Sequence, residues 1–232
     1  MGAQWKTAGK IATASARGKI FNKLAKDLII AAKAGADPAM NARLRAAVEA
    51  AKKASMPRDS LERSIKRGAG LLDDGAALET VTYEGFAPHR VPVIVECLTD
   101  NRNRTTTSIR VLFRKGQLGT SGSVAWDFSH VGLVDAAPPD GANAEDVAIE
   151  AGAQDVEADP EAGFRFYTEP GDLDAVSKAL SGLGWTVATM RLGWRAKNPV
   201  QVTGAAARSE VEEFLAALDE DDDVQHLYVG YT

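Results

Sequence analysis

The chain divides near Gly70 into two parts that differ in charge and in secondary-structure pattern. Residues 1–70 contain 15 basic and five acidic side chains, and their apolar spacing predicts helices alone. Residues 71–232 contain 12 basic and 27 acidic side chains, and short strand and helix patterns alternate along them. Such an asymmetry is typical of a polyanion-binding module joined to an acidic body.

Residues 17–35 carry the clearest helical pattern of the first part. Their apolar side chains share one arc of the helix, and their lysines share the opposite arc. This lysine stripe consists of Lys19, Lys23, Lys26 and Lys33. Gly35 ends the pattern.

Two further amphipathic helices are predicted in the basic part. The Asp-Pro pair at 37–38 has the residue types of a helix start and places Met40 on the buried face. The Met-Pro pair at 56–57 begins the third helix. Its outward side carries Arg63, Lys66 and Arg67. Three short helices with tight connections predict a small helical bundle, which we place at residues 1–74.

Concentrated lysine and arginine side chains are what phosphate contacts require, so the basic module is the expected nucleic-acid-binding part. Residues 6–19 form a segment with little apolar content, which is typical of an arm that orders on a partner. The candidate nucleic-acid-binding residues are Lys6, Lys10, Arg17, Lys19, Lys23, Lys26, Lys33, Arg63, Lys66, Arg67, Arg102 and Arg104.

The acidic part predicts two α+β domains. Residues 131–202 follow the order β-α-β-β-α-β, which is ferredoxin-like. Residues 78–130 contain too few helices for a complete unit, and residues 203–232 supply one more helix and one more strand. We therefore expect a central domain made of 78–130 plus 203–232, with the third domain, 131–202, inserted into it.

Three loops of the body have alternative interpretations. Residues 100–105 join a strand to a helix, where phosphate binding and helix capping by Asn103 or Thr105 are equally supported. The glycines at 116–122 are explained by a turn that needs positive φ, since the spacing of a phosphate loop is missing. The five acids at 219–223 predict a solvated turn, with a divalent-ion site as the minor alternative. A strand is predicted at 123–128, with Val124, Trp126 and Phe128 along it.

Catalysis finds little support in the sequence. Cys97 is the only cysteine and sits in an apolar strand, which predicts a buried and inert thiol. The three histidines are far apart and have no metal-ligand spacing. They are His89, His130 and His226. An enzyme is therefore the least favoured class, no cofactor or metal is expected, and the lack of a signal peptide or membrane-length apolar run predicts a cytoplasmic protein.

Several motifs along nearly the whole chain resemble the YebC/PmpR family, which includes bacterial regulators and the mitochondrial translational activator of cytochrome c oxidase. The motifs are Arg17-Gly18-Lys19-Ile20-Phe21, Met56-Pro57-Arg58-Asp59, Tyr83-Glu84-Gly85-Phe86, Val95-Glu96-Cys97-Leu98-Thr99-Asp100-Asn101 and Leu118-Gly119-Thr120-Ser121-Gly122-Ser123-Val124-Ala125-Trp126. The resemblance implies a helical bundle followed by two α+β domains, the last inserted into the middle one. It implies neither enzymatic activity nor a cofactor.

The N-terminus departs from the family pattern. Such chains commonly open with Gly-His-Ser-Lys-Trp and a basic stretch, whereas this chain opens with Gly2-Ala3-Gln4-Trp5-Lys6. The interval from Trp5 to Arg17 is also about two residues shorter and less basic than the resemblance implies.

Three functional hypotheses follow. The first is a non-enzymatic DNA-binding regulator of transcription, which is the usual description in the family that the chain resembles. The second is a translational activator that binds ribosomal RNA, since a helical bundle can contact RNA phosphates without a base code. The third is a scaffold whose basic residues bind an acidic protein. Ribosomal or transcription proteins are further possible partners, and a monomer and a dimer are both compatible with the sequence.

Overall fold

The computed structural model describes residues 14–72, 77–160 and 162–232. The predictions for Lys6, Lys10 and residues 6–13 of the N-terminal arm lie outside the described residues, whereas residues 14–19 of that segment belong to the first helix. Within them, the α+β prediction is confirmed: seven α-helices accompany two four-stranded antiparallel sheets.

The basic part folds as a three-helix bundle. Its helices are α1 (Ala14–Ala32), α2 (Ala42–Lys53) and α3 (Arg58–Gly68). Leu28 and Leu44 are fully buried in its core. Gly68 lets α3 approach α1 closely, because a Cβ at this position would lie 2.2 Å from the carbonyl oxygen of Ile29.

The second helix starts later than the Asp-Pro pair at 37–38 predicts. Asn41 caps α2, since its Oδ1 accepts the Leu44 N–H at 3.0 Å. Its amide also donates to the carbonyls of Ala31 and Gly35, which ties the start of α2 to the end of α1. Met40 therefore lies outside the helix and is 88% exposed, so the prediction that it is buried is wrong.

The body contains the remaining elements. In chain order they are β1 (Glu79–Ala87), β2 (Val91–Thr99), α4 (Arg102–Leu112), β3 (Gln117–Leu118), β4 (Phe128–Ala137), α5 (Ala144–Ala151), β5 (Asp155–Asp159), β6 (Gly163–Thr168), α6 (Leu173–Gly182), β7 (Thr186–Ala196), α7 (Ala205–Asp219) and β8 (Val224–Val229).

The two sheets take their strands from different parts of the chain. The first has the order β3-β1-β2-β8, so the last strand of the chain pairs with β2 across the intervening elements. The second has the order β5-β6-β4-β7, which is the ferredoxin-like arrangement predicted for this region. Helices α4 and α7 cover one face of the first sheet, where Phe113 and Phe214 pack edge to face. The other face packs against the second sheet through Ile94, Leu133 and Tyr228.

The predicted strand at 123–128 is absent. Residues Ala125–Asp127 form a 3-10 turn, and Trp126 is 67% exposed. The reason is Glu84 on β1, whose carboxylate accepts the N–H groups of Val124 and Ala125 at 2.9 Å and removes them from any strand pairing. The next strand, β4, already belongs to the second sheet. None of the described helices is both long and apolar enough to cross a membrane.

Candidate nucleic-acid interface

The lysine stripe of α1 lies against the body of the chain. The Lys19 ammonium donates to the carbonyl of Glu220 at 3.0 Å. The Lys23 ammonium donates to the carbonyl of Asp219 at 3.1 Å and to its Oδ1 at 2.6 Å. The first half of the stripe is therefore bound at the end of α7.

Lys26 is the most completely engaged member of the stripe. Its Nζ donates to the carbonyls of Leu98 and Asp222 at 2.8 and 2.6 Å, and to Asp223 Oδ1 at 3.3 Å. These bonds use all three donors of the ammonium group. Lys33, at the other end of the stripe, donates to the carbonyl of Leu78 at 3.0 Å.

This contact has a simple electrostatic cause. The last carbonyls of a helix lack intrahelical partners and form the negative end of its dipole. Helix α7 ends at Asp219, and the acidic turn (residues 219–223) adds carboxylates at the same place. The stripe lies opposite the bundle core as predicted, but its lysines donate to carbonyls of the body. Lys19, Lys23 and Lys26 are half-buried there, whereas Lys33 stays exposed. The five successive acids were the sequence signal for this partner.

The acidic turn is only partly solvated, as Glu220 and Asp222 are exposed whereas its last residue is held by buried contacts. Asp223 is only 8% exposed, and its Oδ2 accepts from Thr105 Oγ1 at 2.7 Å and from Arg104 at 3.0 Å. Burial alone would raise the pKa of Asp223, but these hydrogen bonds and the Lys26 charge outweigh it and hold the pKa below its ordinary value.

Helix capping explains the segment at 100–105. Asn101 Oδ1 accepts the Arg104 N–H at 3.1 Å and caps α4, a role that the sequence assigned to Asn103 or Thr105. The Arg104 side chain forms ion pairs of 3.0 Å with both Asp100 and Asp223. Arg102 is exposed at the first turn of the same helix. Of the two candidate arginines, Arg104 is thus committed to the protein's own carboxylates.

The basic residues of α3 have a different environment. Arg63 and Lys66 are exposed and Arg67 is half-buried, while Leu61 and Ser64 face the bundle. We call Arg63, Lys66 and Arg67 the α3 face. Residues 42–70 contain eight basic and three acidic side chains, so the surroundings of the α3 face are positive.

Two more cations adjoin this part of the chain. Lys52 and Lys53 are exposed in the last turn of α2, which leads directly into α3. Arg17 is exposed on α1, one residue ahead of Gly18. The structure therefore separates the predicted site residues that it describes into a stripe on α1 that contacts the body and further residues on α3 and in the N-terminal turns of α1 and α4. Lys52 and Lys53 of α2 were not predicted as site residues.

A small cavity lies where the bundle meets both sheets. Its volume is about 70 Å³, and Asp27, Arg43, Arg191 and His226 supply its polar lining. Burial raises the pKa of Asp27, whose Oδ1 lies 3.9 Å from His226 Nε2. The volume suits water-sized molecules, so we assign this cavity to domain packing.

Arg191, which lines this cavity, shares a buried carboxylate of the second sheet with Arg165. Asp135 accepts from Arg165 Nε at 2.6 Å, from Arg191 Nη1 at 3.1 Å and from Thr189 at 2.8 Å. Burial alone would raise the pKa of Asp135, but the two guanidinium charges hold it far below its ordinary range. Arg165 also pairs with the buried Asp159 at 3.0 Å, so two buried carboxylates match the two guanidinium charges and these arginines are structural.

The chemistry of the remaining candidates is limited. Burial, with the nearby Asp221 and Asp223, raises the pKa of Cys97 to about 12, so the thiol is a poor nucleophile at neutral pH. No group of three or more His, Cys, Asp or Glu side chains with metal-binding geometry occurs in residues 14–72, 77–160 and 162–232.

Comparison with known proteins gives matches over the whole length. Residues 2–71 match the family model described as the TACO1/YebC protein N-terminal domain, and residues 78–231 match the model of the TACO1/YebC second and third domain. A probable transcriptional regulatory protein from Pseudomonas syringae pv. tomato is 60% identical, with 99% of each chain covered. One from Bdellovibrio bacteriovorus is 50% identical, covering 98% of this chain and 99% of its own.

A solved structure shares the fold. The crystal structure of a conserved hypothetical protein from Aquifex aeolicus is 40% identical, covers 99% of this chain and 96% of its own, and superposes with a TM-score of 0.86. Together with the two family models, this similarity confirms the resemblance that the motifs predict: the chain belongs to the TACO1/YebC family.

Proposed function

We propose that this protein is a non-enzymatic DNA-binding regulator of transcription that contacts the phosphate backbone through the α3 face. The observation that carries the proposal is the exposure of Arg63 and Lys66 on a basic helix whose opposite side is buried in the bundle. Relatives named probable transcriptional regulatory proteins, at 60% and 50% identity over nearly the full length, support the regulatory assignment.

The proposed mode of binding is electrostatic. Exposed lysine and arginine side chains release counterions from DNA when they contact phosphates, and this supplies affinity without reading the sequence. Lys52 and Lys53 extend the positive surface from α3 to the end of α2. The acidic body repels the DNA, which restricts contact to the outward side of the bundle. No base-reading role is proposed for α3.

The domain boundaries belong to the same proposal. We infer a basic domain at 1–74, a central domain at 78–130 plus 203–232, and an inserted domain at 131–202. The pairing of β8 with β2, and the restriction of the second sheet to strands between Phe128 and Ala196, support the insertion.

The test is a salt titration of duplex DNA binding with two charge-matched variants. Lys66→Glu should weaken binding and lower the slope of log affinity against log salt by about one. Lys178→Glu, an equal charge change at an exposed lysine of α6, should leave both unchanged. Equal effects of the two variants would contradict the proposal, and tighter binding to ribosomal RNA than to duplex DNA would favour the translational alternative instead.

A further inference from the structure

A second positive region lies on the central domain, at the β1 edge of the first sheet. Residues 101–126 contain five basic and no acidic side chains, although the body as a whole is acidic. They comprise α4, the short strand β3 and the glycine-rich loop that follows it. Neither the lysine stripe nor the α3 face includes this region.

The loop is ordered in spite of its glycines, because a buried carboxylate organises it. Glu84 is 8% exposed, and its two oxygens accept the N–H groups of Gly122, Val124 and Ala125 at 2.7–2.9 Å. The carbonyl of Glu84 also accepts the Gly119 N–H at 2.8 Å. Both ends of the loop are thereby fixed to a single residue of β1.

This loop presents an aromatic ring to solvent. Trp126 is 67% exposed, and it is the only exposed Phe, Tyr or Trp among the residues that the structure describes. Its indole N–H donates to the carbonyl of Ser123 at 3.1 Å, which fixes the ring within the loop. The Lys197 ammonium donates to the Trp126 carbonyl at 3.0 Å and places a positive charge beside it. The ring is therefore held by a hydrogen bond within the loop while most of the residue stays exposed.

Other cationic residues lie along the same edge of the first sheet. Gly116 packs against the carbonyl of Phe86. Phe86 is two residues from Glu84 on β1, so these two residues are about 7 Å apart along the strand. Lys115, which precedes Gly116, is exposed, as is Arg114. The Arg90 guanidinium lies 5.8 Å from the centre of the Phe86 ring.

The backbone at Arg90 is also unusual. His89 and Arg90 have φ of 61° and 59°, which is uncommon for residues other than glycine. Strain of this kind costs free energy and is typical of functional positions. We call Arg90, Arg114, Lys115, Trp126 and Lys197 the Trp126 surface.

We propose that the Trp126 surface binds single-stranded nucleic acid by stacking a base on Trp126 and contacting adjacent phosphates through its cations. An exposed aromatic ring among positive side chains is the combination that recognises an unpaired strand. A duplex keeps its bases stacked internally and offers no free base face to the ring. A protein interface of comparable strength would require a more apolar centre, with fewer charges, than one ring among four cations. This second site lies on another domain than the α3 face and does not depend on it.

The test uses two probes, a labelled 20-residue oligo(U) and inorganic polyphosphate, which has the backbone charge but no bases. Trp126→Ala should weaken oligo(U) binding by about five- to a hundredfold, since stacking of one base on an aromatic residue has this value. Binding of polyphosphate should not change. Trp126→Phe should restore most of the oligo(U) affinity, whereas Ile149→Ala, a change at another exposed apolar residue, should have no effect.

Three results would overturn the inference. The first is that Trp126→Ala binds oligo(U) as tightly as the wild type, even if that variant loses binding to a protein. The second is that Trp126→Ala weakens polyphosphate binding as much as oligo(U) binding. The third is that Trp126→Phe recovers no oligo(U) affinity. The Trp126 surface and the proposed function are tested by different variants, so that one can be contradicted without the other. Lys66→Glu reports duplex binding through the α3 face, and Trp126→Ala reports single-strand binding through the central domain.

Discussion

The lysine stripe of α1 and the α3 face belong to the same three-helix bundle and carry the same charge, but their surroundings differ. The stripe contacts the acidic turn, where Lys26 alone makes three hydrogen bonds with backbone and side-chain oxygens. On the α3 face, Arg63 and Lys66 are exposed. Positive charge thus serves two purposes in this bundle: one face joins the bundle to the body, and we propose that the other binds DNA.

The difference arises from what each face meets. Helix α7 presents its unpaired terminal carbonyls to α1, so the lysines stabilise a helix end that would otherwise need water. Helix α3 packs on α1 through Gly68, which meets Ile29 and Ala32 rather than the lysines bound to α7. A charged stripe is therefore interpretable only together with the part of the chain that faces it.

The largest expected effect comes from adding a side-chain carbon at the close contact between α1 and α3. Gly68→Ala should lower the free energy of unfolding by about 3 kcal/mol, because the new Cβ would overlap a backbone oxygen that cannot move aside. Denaturant unfolding measures this. Gly18→Ala is the matched control on α1, where a Cβ meets nothing within 4 Å, and it should be neutral or slightly stabilising. Similar losses in both variants would contradict this description of the bundle.

The next effect concerns the stripe itself. Lys26→Met should destabilise the protein by about 2 kcal/mol, since three acceptors, two of them in partly buried contacts, lose their donor. Lys33→Met, which removes a single exposed bond, should cost less than about 0.5 kcal/mol. Neither change should reduce DNA affinity at a temperature where both variants are folded. A stable Lys26→Met variant with weakened DNA binding would reverse the roles of the two faces.

The third effect is a pH dependence. The pKa of Asp223 is lowered in the folded protein from an ordinary value of 3.8, so its contribution is present above about pH 4 and is lost as the pH falls through the lowered pKa. Asp223→Asn should cost about 1.5 kcal/mol at pH 7, the value of a hydrogen bond to a charged group. This cost should shrink in acid, as unfolding curves between pH 7 and pH 3 would show. A cost that is the same at both ends of that range would contradict the ion-pair account.

The smallest expected effect is the change in protein stability caused by a substitution on the α3 face. Lys66→Glu should change the free energy of unfolding by less than about 0.5 kcal/mol, because the side chain is exposed at the surface. The same variant should weaken DNA binding. A destabilisation as large as that of Lys26→Met would show that Lys66 is a structural residue like those of the stripe.

The sequence predicted local patterns well and long-range partners poorly. Helical periodicity placed the lysine stripe opposite the bundle core, because this depends only on the spacing of residues along α1. It did not show that residues 219–223 occupy that side, since the contact joins parts of the chain about two hundred residues apart. The direction of a helix face is a local property, whereas its accessibility depends on the tertiary structure.

Two errors in the fold have the same origin. Met40 was predicted to be buried because Asp37-Pro38 has the residue types of a helix start, but the side chain of Asn41 also bonds to the end of α1 and caps α2 later. Trp126 was predicted to lie in a strand, but Glu84 binds the backbone around it and turns it outward. In both cases a polar side chain sets a boundary that apolar periodicity does not contain.

In this structure the lysines of the α1 stripe are bound to the body, and we propose that the α3 side of the bundle binds DNA. Acetylation of lysine amines, followed by mass spectrometry with and without duplex DNA, measures both faces at once. We predict that Lys23 and Lys26 react slowly under both conditions, whereas Lys52, Lys53 and Lys66 react readily in the free protein and become protected by DNA. Rapid labelling of Lys23 and Lys26 in the free protein, with protection only when DNA is added, would contradict the account.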